Sequence, residues 1–154
     1  MSTSTSPKTA KLRTVFDSNI YVAAALRPGQ YADRWLDIAA LPGSGLQLFA
    51  SPYILSEVTN KLVTKFGLPQ AIVQQFIQRV NVSARIVVPK YIPMVVPDDP
   101  DDNAIVACAI EARAQLIVTA DSDLLKLNPY EGIGITHPKE LKNIFATEYK
   151  KRRL

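Results

Sequence analysis

The chain has 154 residues, 47% of them hydrophobic, which suits one domain with a filled core. Its single cysteine, Cys108, excludes an internal disulfide and a cysteine-built zinc site, and no apolar run reaches the roughly 18 residues a membrane span needs. The formal charge of +4 sits in Lys150, Lys151, Arg152 and Arg153, because the remaining 14 basic residues balance the 14 acidic ones.

Residues 1–12 read as a polar, flexible lead without the apolar stretch of a secretory signal, so a reducing cytoplasm is the expected location. Residues 13–146 read as the folded domain and 147–154 as a basic tail. Within the domain, short apolar runs predict strands at Thr14–Phe16, Leu46–Ala50, Arg85–Val88, Leu116–Thr119 and Gly132–Thr136. They are mostly continuous rather than alternating, as in parallel strands covered on both faces. Helices are expected at Ala32–Leu41, Pro52–Phe66, Gln70–Val82, Pro100–Ala114 and Pro138–Phe145. Ser51 is a fitting N-cap with Pro52 in the first helical position. The second helix carries the stripe Leu55, Val58, Leu62 and Phe66, and the third Ile72, Val73, Phe76, Ile77 and Val80. Strands alternating with helices predict an α/β three-layer sandwich around a five-stranded, mainly parallel sheet with right-handed crossovers.

Ligands of open parallel sheets bind outside the carboxyl ends of the strands. The first strand is followed there by Asp17-Ser18-Asn19, and the fourth by Asp121-Ser122-Asp123. A helix opens with Asp98-Asp99-Pro100-Asp101-Asp102-Asn103. Each acid has a plain structural explanation. Asp99 fits as an N-cap with favoured acids behind it, Asp123 could cap Leu124–Leu127, Asn19 could cap a helix after the first strand, and Glu57 lies off its apolar stripe. Together they are harder to explain. If strands one and four are neighbours, Asp17 and Asp121 face each other at roughly 5 Å. Two carboxylates about 4 Å apart repel by about 4 kcal/mol at an effective dielectric near 20. Such a cluster must stay protonated or hold a cation, and an all-oxygen site suits Mg²⁺ or Mn²⁺.

In this order the segments Val15-Phe16-Asp17-Ser18-Asn19, Ser56-Glu57-Val58, Asp98 to Ala104 and Ile117 to Leu125 resemble the PIN-domain family. The similarity runs from about Arg13 to Phe145. The Asp-Pro-Asp-Asp and Val-Thr-x-Asp-x-Asp-Leu-Leu stretches look most like the VapC-like toxin components of bacterial toxin–antitoxin pairs. The resemblance implies a metal-dependent endoribonuclease with Asp17, Glu57, Asp102 and Asp121 as its catalytic acids. Asp17, Asp102 and Asp121 would hold Mg²⁺ or Mn²⁺. Asn19, Asp123 and Thr119 would assist, and the unusually rich acidic run lets Asp99 reach the metal too. Helical periodicity alone does not choose between Asp101 and Asp102; the resemblance favours Asp102. It also implies an RNA substrate, a cognate antitoxin and a homodimer, with no membrane partner. Lys150, Lys151, Arg152 and Arg153 could add phosphate attraction.

Other residues suggest less. His137 reads as a cap or surface residue, Cys108 as core, and Trp35 as packing or a partner surface. A non-catalytic PIN-like module that binds RNA or a partner is the main alternative, although such a module usually loses acids that this chain keeps. An Asp-nucleophile phosphatase would want a second acid where Asn19 stands and a lysine near the later strand ends. A phospho-acceptor receiver domain would want an acidic pair after the first strand and a lysine after the last.

Overall fold

The computed structural model describes residues 11–153, with side chains through Glu148. The elements are β1 (Leu12–Phe16), α1 (Ser18–Leu26), α2 (Tyr31–Ala40), β2 (Leu46–Ala50), α3 (Pro52–Asn60), a π-helical turn (Lys61–Lys65), α4 (Gln70–Ser83), β3 (Ala84–Ile86), α5 (Pro100–Ala112), β4 (Leu116–Val118), α6 (Ser122–Leu125), β5 (Gly134–Thr136) and α7 (Pro138–Arg153). The five strands form one sheet in the order β3-β2-β1-β4-β5. Every pairing is parallel, so the predicted α/β three-layer sandwich is the fold. From β1 the chain winds outward through β2 and β3, then returns to build β4 and β5 on the other side. The crevice at the carboxyl ends of β1 and β4 is therefore the topological switch point.

Burial explains the continuous apolar runs. Val15, Phe16, Leu48, Phe49, Ile117 and Val118 are all buried, so neighbouring residues that point to opposite faces of the sheet are both covered. Helix α5 packs against β1, β2 and β4 and is buried from Asp102 to Ala109. Arg13 ties its far end to the sheet. The guanidinium donates to the Arg113 and Ala112 carbonyls and lies over the Phe49 ring, 4.6 Å from its centroid. Arg113 itself ends the helix in a left-handed turn with φ 52°.

Ser51 caps α3 by accepting from the Ile54 N–H, with Pro52 opening the helix as expected. Cys108 is buried in the core, and His137 caps α7 by accepting from the Lys139 N–H. Trp35 is packing: it is buried, and its ring meets Phe145 edge to face at 5.5 Å. Among the described residues no helix is long and apolar enough to cross a membrane.

Several boundaries differ from expectation. β1 begins at Leu12, inside the segment read as a lead; residues 1–10 of that lead lie outside the described residues. Helix α1, Ser18–Leu26, lacks a single apolar stripe because Ser18-Asn19-Ile20-Tyr21-Val22-Ala23-Ala24-Ala25-Leu26 is apolar nearly all round. The helix expected over 52–66 leaves α geometry at Asn60, and the π turn rotates Phe66 out to 42% exposure. Ile72 is also exposed, while Val73 and Val80 carry the α4 contact. α7 does not stop at Phe145. No proline or glycine interrupts it, and most of residues 146–153 are good helix formers, so it runs to Arg153. The side chains of Lys150 to Arg153 lie outside the described residues.

Candidate active site

The register of β1 and β4 builds the first half of the site. Phe16 is level with Val118, so the residue opposite Asp17 is Thr119, not Asp121 as expected. Thr119 and Ala120 both intervene before the chain turns. The Thr119 hydroxyl donates to Asp17 Oδ2 at 2.7 Å and accepts from the Asp121 N–H at 3.0 Å. One buried hydroxyl thus links the two acids. The other Asp17 oxygen accepts from the Asn19 N–H at 3.2 Å and the Ser18 hydroxyl at 3.3 Å. Asp17, rather than Asn19, is therefore the cap of α1. In the same way Asp121, rather than Asp123, caps α6, accepting from the Asp123 N–H at 2.8 Å. Both are turns in which an aspartate bonds the backbone two residues on.

The second half comes from the start of α5. Asn103 fixes the incoming chain: its side-chain oxygen accepts from the Val95 and Val96 N–H groups, and its amide donates to the Val96 carbonyl. Asp98 turns through a left-handed conformation with φ 60°, and Asp99 caps the helix by accepting from the Asp102 N–H at 3.1 Å. This presents Asp102 to the crevice at 4% exposure. Its Oδ2 is buried and has no partner among the described residues. Burial, with the Asp121 carboxylate against it and Asp99 nearby, pushes its carboxyl up to about 8. One oxygen each from Asp99, Asp102 and Asp123 lie within 4.8 Å of one another.

Residues 13–123 of the chain match the model of the PIN domain family. The chain belongs to that family. No curated protein matches it in sequence. The crystal structure of PAE2754 from Pyrobaculum aerophilum shares the fold, with a TM-score of 0.57 at 17% identity over 91% of this chain and 94% of that one.

The acids of this PIN domain form two groups. Asp102 meets Asp121 and Asp99, and the three-carboxylate cluster closes on Asp99, Asp102 and Asp123. The expected metal set was Asp17, Asp102 and Asp121; Asp17 and Asp121 line a common cavity beside the cluster. Oxygen-only donors and a buried, unsatisfied carboxylate oxygen fit a hard divalent cation.

The other group faces α3. The Glu57 carboxyl is held above its usual range chiefly by its hydrogen bond to Asp101, which is held below its own. Of the two, Glu57 is therefore the one that keeps its proton to higher pH. The Tyr53 hydroxyl donates to Asp101 Oδ1 at 2.8 Å, and that bond pushes the phenol up to about 12. Asp101, which sequence left without a role, thus serves Glu57. Lys61 was missed altogether. Its ammonium donates to Asn19 Oδ1 at 3.0 Å and to Ser18 Oγ at 3.3 Å. Its charge also favours the ionised forms of Glu57 and Asp101. The signal was present in the spacing, because Tyr53, Glu57 and Lys61 recur every four residues on one helix face.

Proposed function

We propose that this PIN domain is a divalent-metal-dependent endoribonuclease that hydrolyses RNA phosphodiesters. The observation that carries the proposal is Asp102, buried with an unpartnered oxygen among Asp99, Asp121 and Asp123 at the carboxyl edge of the sheet. Asp102, Asp121 and Asp17 would hold Mg²⁺ or Mn²⁺, with Asp99 and Asp123 near enough to share it. When bound, such an ion supplies a Lewis acid for a phosphate oxygen and lowers the pKa of an attacking water.

The chain's own groups do the rest. Thr119, Ser18 and the Asn19 backbone N–H hold both Asp17 oxygens, so that carboxylate needs no reorganisation when substrate arrives. Thr119 also fixes the turn that carries Asp121. Glu57, whose carboxyl the hydrogen bond with Asp101 holds above its usual range, is the group placed to pass a proton to the oxygen released as the P–O bond breaks. Lys61 offsets part of the negative charge and draws the phosphate backbone toward the crevice.

The full sequence resemblance supports a role as the toxin of a toxin–antitoxin pair, acting in the cytoplasm, homodimeric, and restrained by a small antitoxin that offers the crevice a basic side chain. The test is cleavage of a cellular RNA pool with Mg²⁺ or Mn²⁺, followed by mapping of the cut ends. Cutting that stops with EDTA and in Asp17→Asn is expected. Full cutting in EDTA overturns the metal mechanism, and tight RNA binding without cutting in either metal leaves the non-catalytic reading. Growth arrest on expression, relieved by co-expressing the small neighbouring open reading frame, tests the toxin role. Light scattering at micromolar concentration tests the dimer.

A further inference from the structure

A cavity of about 460 Å³ opens directly beside Asp17 and Asp121. It is walled by Ile20, Ala23 and Ala32, with Arg27 and Tyr31 among its polar lining. Beyond Asp17, Asn19 and Asp121 at its edge, the acid chemistry makes no use of its lining. Three features describe what it would hold. The first is its character: largely apolar walls, with room for one planar heterocycle and its sugar but not for a folded peptide element. The second is Tyr31. Its hydroxyl donates to the Pro138 carbonyl and its ring meets Trp35 edge to face at 6.1 Å, so the ring is held from both ends before any ligand arrives. Yet 43% of the residue remains exposed, so part of it is open to a ligand. The third is Arg27. It is exposed, and among the described residues no carboxylate pairs with its guanidinium, although the acidic centre is close by.

We propose that this cavity is a base subsite, in which the RNA nucleotide next to the cut phosphate stacks on Tyr31 while Arg27 contacts the following phosphate. The proposal rests on the nuclease reading for its orientation but not for its chemistry. A fixed aromatic platform with a free arginine is how single-stranded nucleic acid is usually gripped. It gives this enzyme a source of cleavage-site preference that the acids cannot supply, because they contact only phosphate and water.

Two measurements test it. Trp35 is the only tryptophan and touches Tyr31, so its fluorescence reports on the cavity. Titration of the intact protein in EDTA with each of the four ribonucleoside 5′-monophosphates should give a saturable change for at least one, and none with ribose 5-phosphate. The change should vanish in Tyr31→Ala and persist, weakened, in Tyr31→Phe, which keeps the ring and loses the Pro138 bond. On a defined single-stranded RNA with Mg²⁺, Tyr31→Ala should raise KM about tenfold with a smaller fall in kcat, and should blur the preference at the position beside the cut. Arg27→Gln should raise KM and reduce its dependence on salt. Absence of any nucleotide response, or a Tyr31→Ala variant of normal melting temperature whose KM and cut pattern match the parent, overturns the subsite. Nucleotide binding in a parent that cuts no RNA would instead sink the nuclease reading and leave the subsite standing.

Discussion

Two buried polar atoms have no partner among the described residues, and they lie in different kinds of place. The Tyr21 hydroxyl is sealed in the core, on the underside of α1 near the Cys108 thiol, and burial pushes it far up. Asp102 Oδ2 sits at the crevice, among other carboxylates, beside solvent-facing Asp123. Each costs the fold something, because a buried group without a hydrogen bond has given up its water. Only one can be repaid from outside. Nothing can reach the phenol, whereas a cation can reach the carboxylate and cancel its repulsion with Asp121 and Asp99. An unsatisfied atom in the core is a flaw in packing, whereas the same defect at a strand-end crevice, among other carboxylates, is what the proposed cation would relieve.

The largest effect should come from Asp102→Asn. It keeps the shape, removes the charge that a cation needs, and should lower the cleavage rate on the order of 100-fold. Without metal and above about pH 8, where the parent's Asp102 ionises, the variant should melt no lower than the parent, since a like charge has been taken from the cluster. Asp17→Asn should lose as much activity but melt lower, because Asp17 accepts from Thr119, Ser18 and the Asn19 backbone N–H. Equal melting of the two variants would show that the contrast between a satisfied and an unsatisfied acid has no energetic content.

Next comes the pair on the other side of the crevice. Asp101→Asn leaves Glu57 without the carboxylate that retains its proton. Activity should fall about tenfold, the usual scale for a residue that supports a reacting group through a hydrogen bond. The alkaline limb of the pH–rate profile should move to lower pH, since Glu57 would lose its proton earlier. A variant with parental rate and profile would return Asp101 to the surface role that its sequence position suggests.

Much of this was legible in the chain. The strand ends at Asp17 and Asp121 and the helix start at Asp99 follow from local patterns, and those patterns alone bring acids to one edge. What stayed hidden depended on pairing across long separations. That Thr119, rather than Asp121, stands opposite Asp17 is a matter of register, fixed only when Phe16 meets Val118. Lys61 enters the site through a turn whose π geometry no propensity scale anticipates. The cavity by Tyr31 needs α1, α2 and the start of α7 together, and α1 gave no stripe to read because both its faces are apolar.

Metal and pH should then move the melting temperature by several degrees. Mg²⁺ or Mn²⁺ at about 100 times its dissociation constant stabilises by about 2.7 kcal/mol, or roughly 5–10 °C for a chain of this size. EDTA should reverse that shift, and Asp102→Asn should not show it. In metal-free protein the Asp102 carboxyl is raised to about 8. The folded state therefore holds a proton that the unfolded chain releases near pH 4. Between those values the folded state binds more protons, so stability is greatest at the acid end and is lost as pH rises toward 8. A melt series from pH 5 to 8 should decline in the parent and flatten in Asp102→Asn. A flat parental series would mean that Asp102 is ionised throughout and its burial is relieved by some other contact.

The smallest effect returns to the core. Tyr21→Phe deletes the hydroxyl that has no partner among the described residues and keeps the ring, including its tilted contact with Phe16 at 5.8 Å. The fold no longer bears the desolvation of that oxygen, and the small void left behind offsets part of the gain. A net gain of about 1 kcal/mol is expected, or roughly 2–4 °C. Because Tyr21 is fully buried, is no part of the acid cluster and does not line the cavity, metal affinity should not change. The two orphaned atoms then separate cleanly: deleting one gains stability without touching metal binding, and deleting the other abolishes it. A destabilised Tyr21→Phe would reveal a partner for the phenol, such as a buried water, and would end the argument that its burial is a plain cost.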